Sequence, residues 1–214
     1  MTRTANARLA GFLFLLYIAT AAASMVLFDR ATAGNGASAQ IASVAQHVPQ
    51  MRSGIVLSFL SIFDALILAV ALYALTRDYD PDLAMFALSC LVAEGVITAV
   101  YTIAMRTLLW IATDAAAATA DLLGPLLLKA LGWSGIVGAT VFAVGSAVYA
   151  YLFLRARAIP VPLAWLGVAG SLVLAIGLPL GGAASPLMWI PVALFEVTLG
   201  AWLLIKGVRR EEAV

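Results

Sequence analysis

The most constraining feature of this sequence is an apolar run of about twenty residues, between Ser53 and Thr76, with an aspartate at its centre. An α-helix needs a run of this length to cross a hydrocarbon core of about 30 Å. A charged side chain at the centre of a bilayer costs about 2.5–3.5 kcal/mol or more, so acids at that depth serve a purpose. The sequence therefore predicts a transmembrane helix in which Asp64 has a specific role.

Composition extends this prediction to the whole chain. Of the 214 residues, 64% are hydrophobic and 11% are charged, whereas soluble domains have about 45–50% apolar and about 25% charged residues. The net charge of +1 offers no basic surface to nucleic acid. One cysteine, Cys90, and one histidine, His47, exclude an intrachain disulfide and any site built from several such ligands. We expect an integral membrane protein with no cofactor and no nucleic-acid partner.

Six apolar segments predict an all-α, polytopic transmembrane bundle that forms a single domain over residues 1–214. The predicted helices cover residues 8–28, 53–76, 83–108, 130–154, 161–180 and 186–205. The first segment has a second interpretation, because Arg3 and Arg8 precede an apolar core and small residues, as in a cleavable signal. Since the apolar run continues to Phe28, we expect an uncleaved helix.

Two longer connections are predicted on the outer side, over residues 29–52 and 112–129. Within the first, Ile41 and Val44 share one side at helical spacing, which predicts a short interfacial helix near residues 38–47. The second contains an alanine run and the pair Gly124-Pro125, which is typical of a loop.

The distribution of lysine and arginine predicts the orientation. Eight lie at the N-terminus, at the C-terminus and in the loops at 77–82 and 155–160, and four lie on the opposite side. Because cytoplasmic loops carry an excess of these residues, we expect both termini in the cytoplasm. The expected location is the bacterial cytoplasmic membrane, crossed several times.

Two further acids occupy the same depth as Asp64. Glu94 lies eleven residues after Leu83, and Glu196 lies ten residues after Pro186, so each is near its helix midpoint. We predict that the three acids face one another. Three arrangements are open: the acids are protonated and hydrogen-bonded together, they bind a proton or another cation, or they line a wet cavity. A structural role, as a polar clasp that fixes helix packing, is as well supported as a functional one.

The nearest cations in these segments lie at the membrane boundary. Arg52 and Arg106 are each twelve residues from the acid of their own helix, which is about 18 Å. We expect both at the outer boundary, without direct pairing to the acids. Candidate hydroxyl partners for a clasp are Ser58, Ser61, Thr98, Tyr101 and Thr198. The glycines of segments four and five, including Gly135, Gly145 and Gly167, predict close helix packing.

Several stretches resemble a known bacterial membrane family, domain of unknown function 4386. They are Arg8 to Leu16, Arg52-x-Gly54 with Asp64 and Leu72-Tyr73, the Glu94 region, Arg155 to Pro160 with Leu166-Gly167, and Phe195-Glu196 through Gly207. The resemblance covers nearly the whole chain, implies a six-helix integral membrane protein and supplies no settled activity. The family tends to carry an arginine where this chain has Leu91 and a histidine near Gly145, so chemistry that uses those groups would be lost here.

Three functions remain open at this point. The first is a non-catalytic membrane subunit or scaffold, embedded in lipid and joined to a larger membrane complex or to its own copies. The second is a small proton- or cation-coupled transporter that uses Asp64, Glu94 and Glu196. The third is a membrane enzyme acting on lipid, with the acids binding a metal; the lack of a histidine at their depth argues against it. We expect the first.

Overall fold

In the computed structural model, residues 3–181 and 186–208 are described, and every regular element in these ranges is a helix. The helices are α1 (Arg3–Ala31), α2 (Ala37–Gln46), α3 (Val48–Thr76), α4 (Pro81–Asp114), α5 (Ala117–Arg155), α6 (Val161–Gly177) and α7 (Ile190–Ile205). A 3₁₀ turn, Pro186–Trp189, leads into α7. The prediction of an all-α fold is confirmed.

Within the described residues, five helical spans are long and apolar enough to cross a membrane. The spans are Thr4–Ala31, Val48–Thr76, Pro81–Asp114, Ala117–Arg155 and Leu187–Ile205. Helix α6 is equally apolar in character but has 17 residues, at the short limit for a crossing. The chain is thus a multi-pass membrane protein whose embedded helices contact lipid, while the count of six crossings and their orientation stay predictions.

The first outer connection is more helical than the sequence predicted. Helix α2 covers almost the predicted interfacial segment, and its apolar residues Ile41 and Val44 are buried. Helix α3 begins at Val48, five residues before the predicted start. Pro49 does not prevent this, because the N–H that proline lacks would be unpaired in a first turn anyway.

The second predicted loop, 112–129, is a helix over nearly its whole length. Helix α4 continues to Asp114, and α5 begins at Ala117 and runs through Pro125. Alanine and leucine around the proline are strong helix formers, which offsets the hydrogen bond that proline removes. Gly124 and Pro125 therefore do not interrupt helix α5, and the prediction of a loop over residues 112–129 was wrong.

The chain divides into two compact units. Unit 1 comprises the described residues within Met1–Ile18, Phe63–Gly95 and Ile136–Val214, and unit 2 comprises Ala19–Ile62 and Val96–Gly135. Helices α1, α3, α4 and α5 each contribute one part to each unit. Each unit has its own cluster of buried apolar side chains.

Unit 1 is packed through glycines that bring helices into backbone contact. A Cβ atom added to Gly11 of α1 would lie 2.5 Å from the backbone nitrogen of Leu204 and 2.6 Å from the carbonyl oxygen of Gly200, both on α7. A Cβ on Gly167 of α6 would lie 2.5 Å from the ring of Phe195. These contacts fix α7 against α1 and α6, and they determine which of its side chains face inward.

One end of unit 1 is joined by an ion pair. The Arg155 guanidinium, at the end of α5, donates to the carboxylate of Asp80 at 3.0 Å. The other oxygen of Asp80 accepts the backbone N–H of Leu83 at 3.1 Å and so caps the first turn of α4. The two connections at 77–80 and 156–160 therefore lie at the same end of this unit.

Unit 2 is held by hydroxyl groups and by the short helix α2. The Ser24 hydroxyl donates to the carbonyl oxygen of Gly54 at 2.8 Å, which links α1 to α3. The hydroxyls of Ser58 and Thr102 are 2.7 Å apart and link α3 to α4. Helix α2 packs on α5, where the side chain of Ile41 occupies the space that a side chain at Gly124 would need.

Candidate functional site: the buried acids of unit 1

A tyrosine and a glutamate from different helices meet inside unit 1. The Tyr17 hydroxyl of α1 donates a hydrogen bond to Oε1 of Glu94 on α4, with 3.3 Å between the oxygens. Glu94 has 6% of its surface exposed. Since Phe142 of α5 packs on the Tyr17 ring, with centroids 6.0 Å apart, the tyrosine is held in place from a third helix.

Glu196 of α7 belongs to the same region. It is 7% exposed, and its carboxyl lies within electrostatic range of the Tyr17 hydroxyl. Its buried oxygen Oε1 has no hydrogen-bond partner among the residues that the structure describes. The neighbouring Phe195 packs against Gly167, which turns Glu196 away from the lipid face. We call Tyr17, Glu94 and Glu196 the acid cluster.

A small cavity lies about one helical turn from the acid cluster. Its lining includes Phe14, three residues before Tyr17; Leu91, three residues before Glu94; and Leu199, three residues after Glu196. Its volume is about 10 Å³, which is the room that one water molecule needs. A substrate or a lipid headgroup does not fit in it.

Two hydroxyl-bearing residues also line this cavity, and both already have partners. The Tyr149 hydroxyl donates to the carbonyl oxygen of Ala69 at 3.3 Å. The hydroxyl of Ser146 accepts a bond from Ser171 at 3.3 Å. The rest of the lining is apolar, and a cavity of this kind stays dry because a bound water needs several polar partners.

Asp64 lies in the same unit, on α3, and its surroundings differ from those of the two glutamates. It is half-buried, and the exposed side chain of Phe63 precedes it. Its membership of one shared site with Glu94 and Glu196 stays a prediction.

The two boundary arginines are both in unit 2. Arg52 and Arg106 are exposed. The ion pairs among the described residues, Arg77 with Asp78 and Arg155 with Asp80, include neither of them.

The hydroxyl partner of the acid cluster is one that the sequence did not single out. Of the predicted partners, Ser58 bonds to Thr102, Tyr101 packs its ring on Phe28, and Thr198 is exposed. Tyr17, which was not among the predicted partners, donates a hydrogen bond to Glu94. The available signal was its position, because Tyr17 lies near the middle of the first apolar segment, at the depth predicted for the acids.

The acid cluster offers two carboxyl groups and a phenol. Among the described residues, no three acidic, histidine or cysteine side chains come together as ligands for a metal ion. Carboxyl and phenol groups in an apolar interior form hydrogen bonds and hold protons. That is the chemistry that this arrangement supports.

Comparison with known proteins gives one match. The family model described as Domain of unknown function (DUF4386) matches residues 9–207, which is nearly the whole chain. No curated protein and no solved structure matches.

Proposed function

The chain belongs to the DUF4386 family, and from this premise we propose that it is a non-catalytic membrane subunit or scaffold. In this proposal the acid cluster fastens α1, α4 and α7 together inside unit 1. The supporting observation is that Tyr17 bonds to Glu94 in a closed core beside a cavity that holds at most one water. Such a core suits a structural clasp and gives a substrate no room.

A partner role draws support from the outer surface of α5 in unit 2. A Cβ atom added to Gly132 or to Gly135 would have no neighbouring atom within 4 Å. Small residues on a membrane-exposed helix let a second helix approach closely. We propose that a larger membrane complex, or a second copy of this chain, uses this surface.

The subunit role is tested by native mass spectrometry of the tagged chain, extracted gently from its own membranes. We expect a second polypeptide or a second copy in stoichiometric amount, and a lower amount after Gly132→Leu and Gly135→Leu together. The matched control is Val137→Leu, an exposed position later on the same helix. A chain that appears as a monomer with lipid alone would contradict the proposal.

The remaining proposals concern topology. Four helices run through both units, which supports a single domain over residues 1–214. The ion pair between Arg155 and Asp80 joins two of the loops that the charge distribution assigns to the cytoplasm. We propose that both termini are cytoplasmic and that the membrane is the bacterial cytoplasmic membrane. Cysteine labelling that found α2 on the cytoplasmic side would contradict this orientation.

A small proton- or cation-coupled transporter is the second candidate. The observation that favours it is the buried oxygen of Glu196, which lacks a hydrogen-bond partner among the described residues. In this case Asp64→Asn and Glu196→Gln should leave the protein folded but abolish proton or cation flux in reconstituted vesicles. Flux that is absent from the wild-type protein would exclude this candidate and leave the subunit role.

A further inference from the structure

The packing of the described part of unit 1 does not provide a group that would compensate a negative charge on the Glu196 carboxyl. Its carboxyl is more than nine-tenths buried, and Oε1 has no hydrogen-bond partner among the described residues. An ionised carboxylate in such a place would lose its hydration and gain nothing in return. A buried polar atom without a partner needs an explanation, such as an ordered water or a bound ion.

The positive side chains of unit 1 lie elsewhere. Those whose side chains the structure describes are exposed and lie at or near helix ends: Arg8, Arg77, Arg155, Arg157 and Lys206. Lys206 is ten residues from Glu196, which is about 15 Å along a helix. Between the helix ends, the titratable groups of unit 1 are acids, phenols and a thiol: Tyr17, Asp64, Tyr73, Cys90, Glu94, Tyr149, Tyr151 and Glu196. Helix α6 contributes none.

Space and donor chemistry narrow the choice of ligand. A metal cation needs several oxygen atoms around it, and the acid cluster supplies two carboxyl groups and one phenol. The nearby cavity holds at most one water and is lined mainly by apolar side chains. A proton needs no added volume, because it binds directly to a carboxyl oxygen.

We propose that the acid cluster is a proton-binding site, in which Glu196 keeps a proton on its carboxyl group while the exposed acids of the chain are ionised. Tyr17 is a positioning residue, because its hydroxyl donates to Oε1 of Glu94 and holds that carboxyl group in place. The bound proton removes the uncompensated charge at Glu196. This goes beyond the proposed function, since it holds for a subunit and for a carrier alike.

Infrared spectroscopy of the full chain in lipid nanodiscs tests this directly. A protonated carboxyl group absorbs at a different infrared frequency from an ionised one, and its absorption band shifts in heavy water. At neutral pH we expect such a band in the wild-type protein and in Asp82→Asn, which alters an exposed acid. In Glu196→Gln the band should lose the intensity of one carboxyl group.

Several outcomes would overturn the proposal. One is the absence of a protonated carboxyl band from the wild-type protein at neutral pH, a measurement that needs no variant to fold. Another is a band of unchanged intensity in Glu196→Gln. If Glu196→Gln does not fold, Glu196→Asp should move the band, and an unmoved band counts against the proposal. Loss of the wild-type band on adding sodium chloride, but not potassium chloride, would assign the site to Na⁺ instead. None of these results bears on partner binding in native membranes.

Discussion

Unit 1 and unit 2 are built from parts of the same four long helices, yet different contacts hold them together. In unit 1, glycines let backbones touch, and the interior encloses two glutamates. In unit 2, serine and threonine hydroxyls cross between helices, and a short helix covers the beginning of α5. We infer that unit 1 tolerates little added volume where α1 and α6 meet α7, whereas hydroxyl bonds join α1, α3 and α4 in unit 2.

The largest expected effect is that of Gly11→Ala. The added methyl group would meet backbone atoms of α7, which cannot rotate away, so we expect the loss to reach or exceed the upper part of the range of about 1–3 kcal/mol for overpacking. The measurement is denaturant unfolding in detergent micelles. In the monomeric protein a side chain at Gly132 of unit 2 meets no other atom within 4 Å, so the control Gly132→Ala, measured on the monomer, should gain about 0.5–1 kcal/mol. Equal stabilities for the two variants would refute the contrast between the units.

The next effect concerns the acid cluster. Tyr17→Phe removes the hydrogen bond to Oε1 of Glu94 and should cost about 1–3 kcal/mol, because that bond is buried. Glu94→Gln should cost less, since an amide oxygen still accepts the bond. A double-mutant cycle of the two should show a coupling of about 0.5 kcal/mol or more. The control is Tyr151→Phe, at an exposed position of α5. If Tyr17→Phe lowers the free energy of unfolding no more than this control does, Tyr17 does not stabilise the acid cluster.

A smaller loss is expected from the hydroxyl pair of unit 2. Either Ser58→Ala or Thr102→Val should cost about 0.6–1.7 kcal/mol, the range found for hydrogen bonds between membrane helices. The same unfolding measurement applies. Thr107→Val is the control, because the Thr107 hydroxyl donates to the Ile103 carbonyl within its own helix. If Ser58→Ala is no worse than this control, hydroxyl bonds between helices are not what holds unit 2.

The smallest effect should come from the ion pair at the end of unit 1. Arg155→Ala should cost about 0.2–1 kcal/mol, because the arginine side chain is more than half exposed and solvent screens the pair. The cost should shrink as salt is added to the unfolding buffer. Arg8→Ala, which removes an exposed arginine from α1, supplies the baseline. A cost that does not depend on salt would argue against an electrostatic contribution.

Segment length and apolar character predicted the helices well because the bilayer requires them. The same reasoning failed at residues 112–129, where Gly124-Pro125 has the signature of a loop. Strong helix formers around Pro125 offset its missing hydrogen bond, and Ile41, far away in sequence, packs against Gly124. Local signals for a turn carry no information about such a contact.

The candidate site was predictable in part for a similar reason. Depth alone pointed equally to Asp64, Glu94 and Glu196, because an acid in an apolar helix is conspicuous in any sequence. Tyr17 was not conspicuous, since tyrosine is common in membrane proteins, and its partner Glu94 lies 77 residues away. The glycines were expected to pack, yet Gly145 and Gly167 meet other helices while Gly135 faces open space. Sequence spacing does not tell which neighbour a glycine meets.

The position of Glu196 on the last described helix has a consequence for biosynthesis. Tyr17 and Glu94 emerge from the ribosome long before α7 does. Until α7 is in place, α1 at Gly11 and α6 at Gly167 lack the neighbours that they contact in the folded unit 1. Chains truncated before Ile190 would expose these surfaces of α1 and α6 to the lipid, and we expect membrane proteases to degrade such chains. The packing of unit 1 is therefore complete only once α7 has joined it.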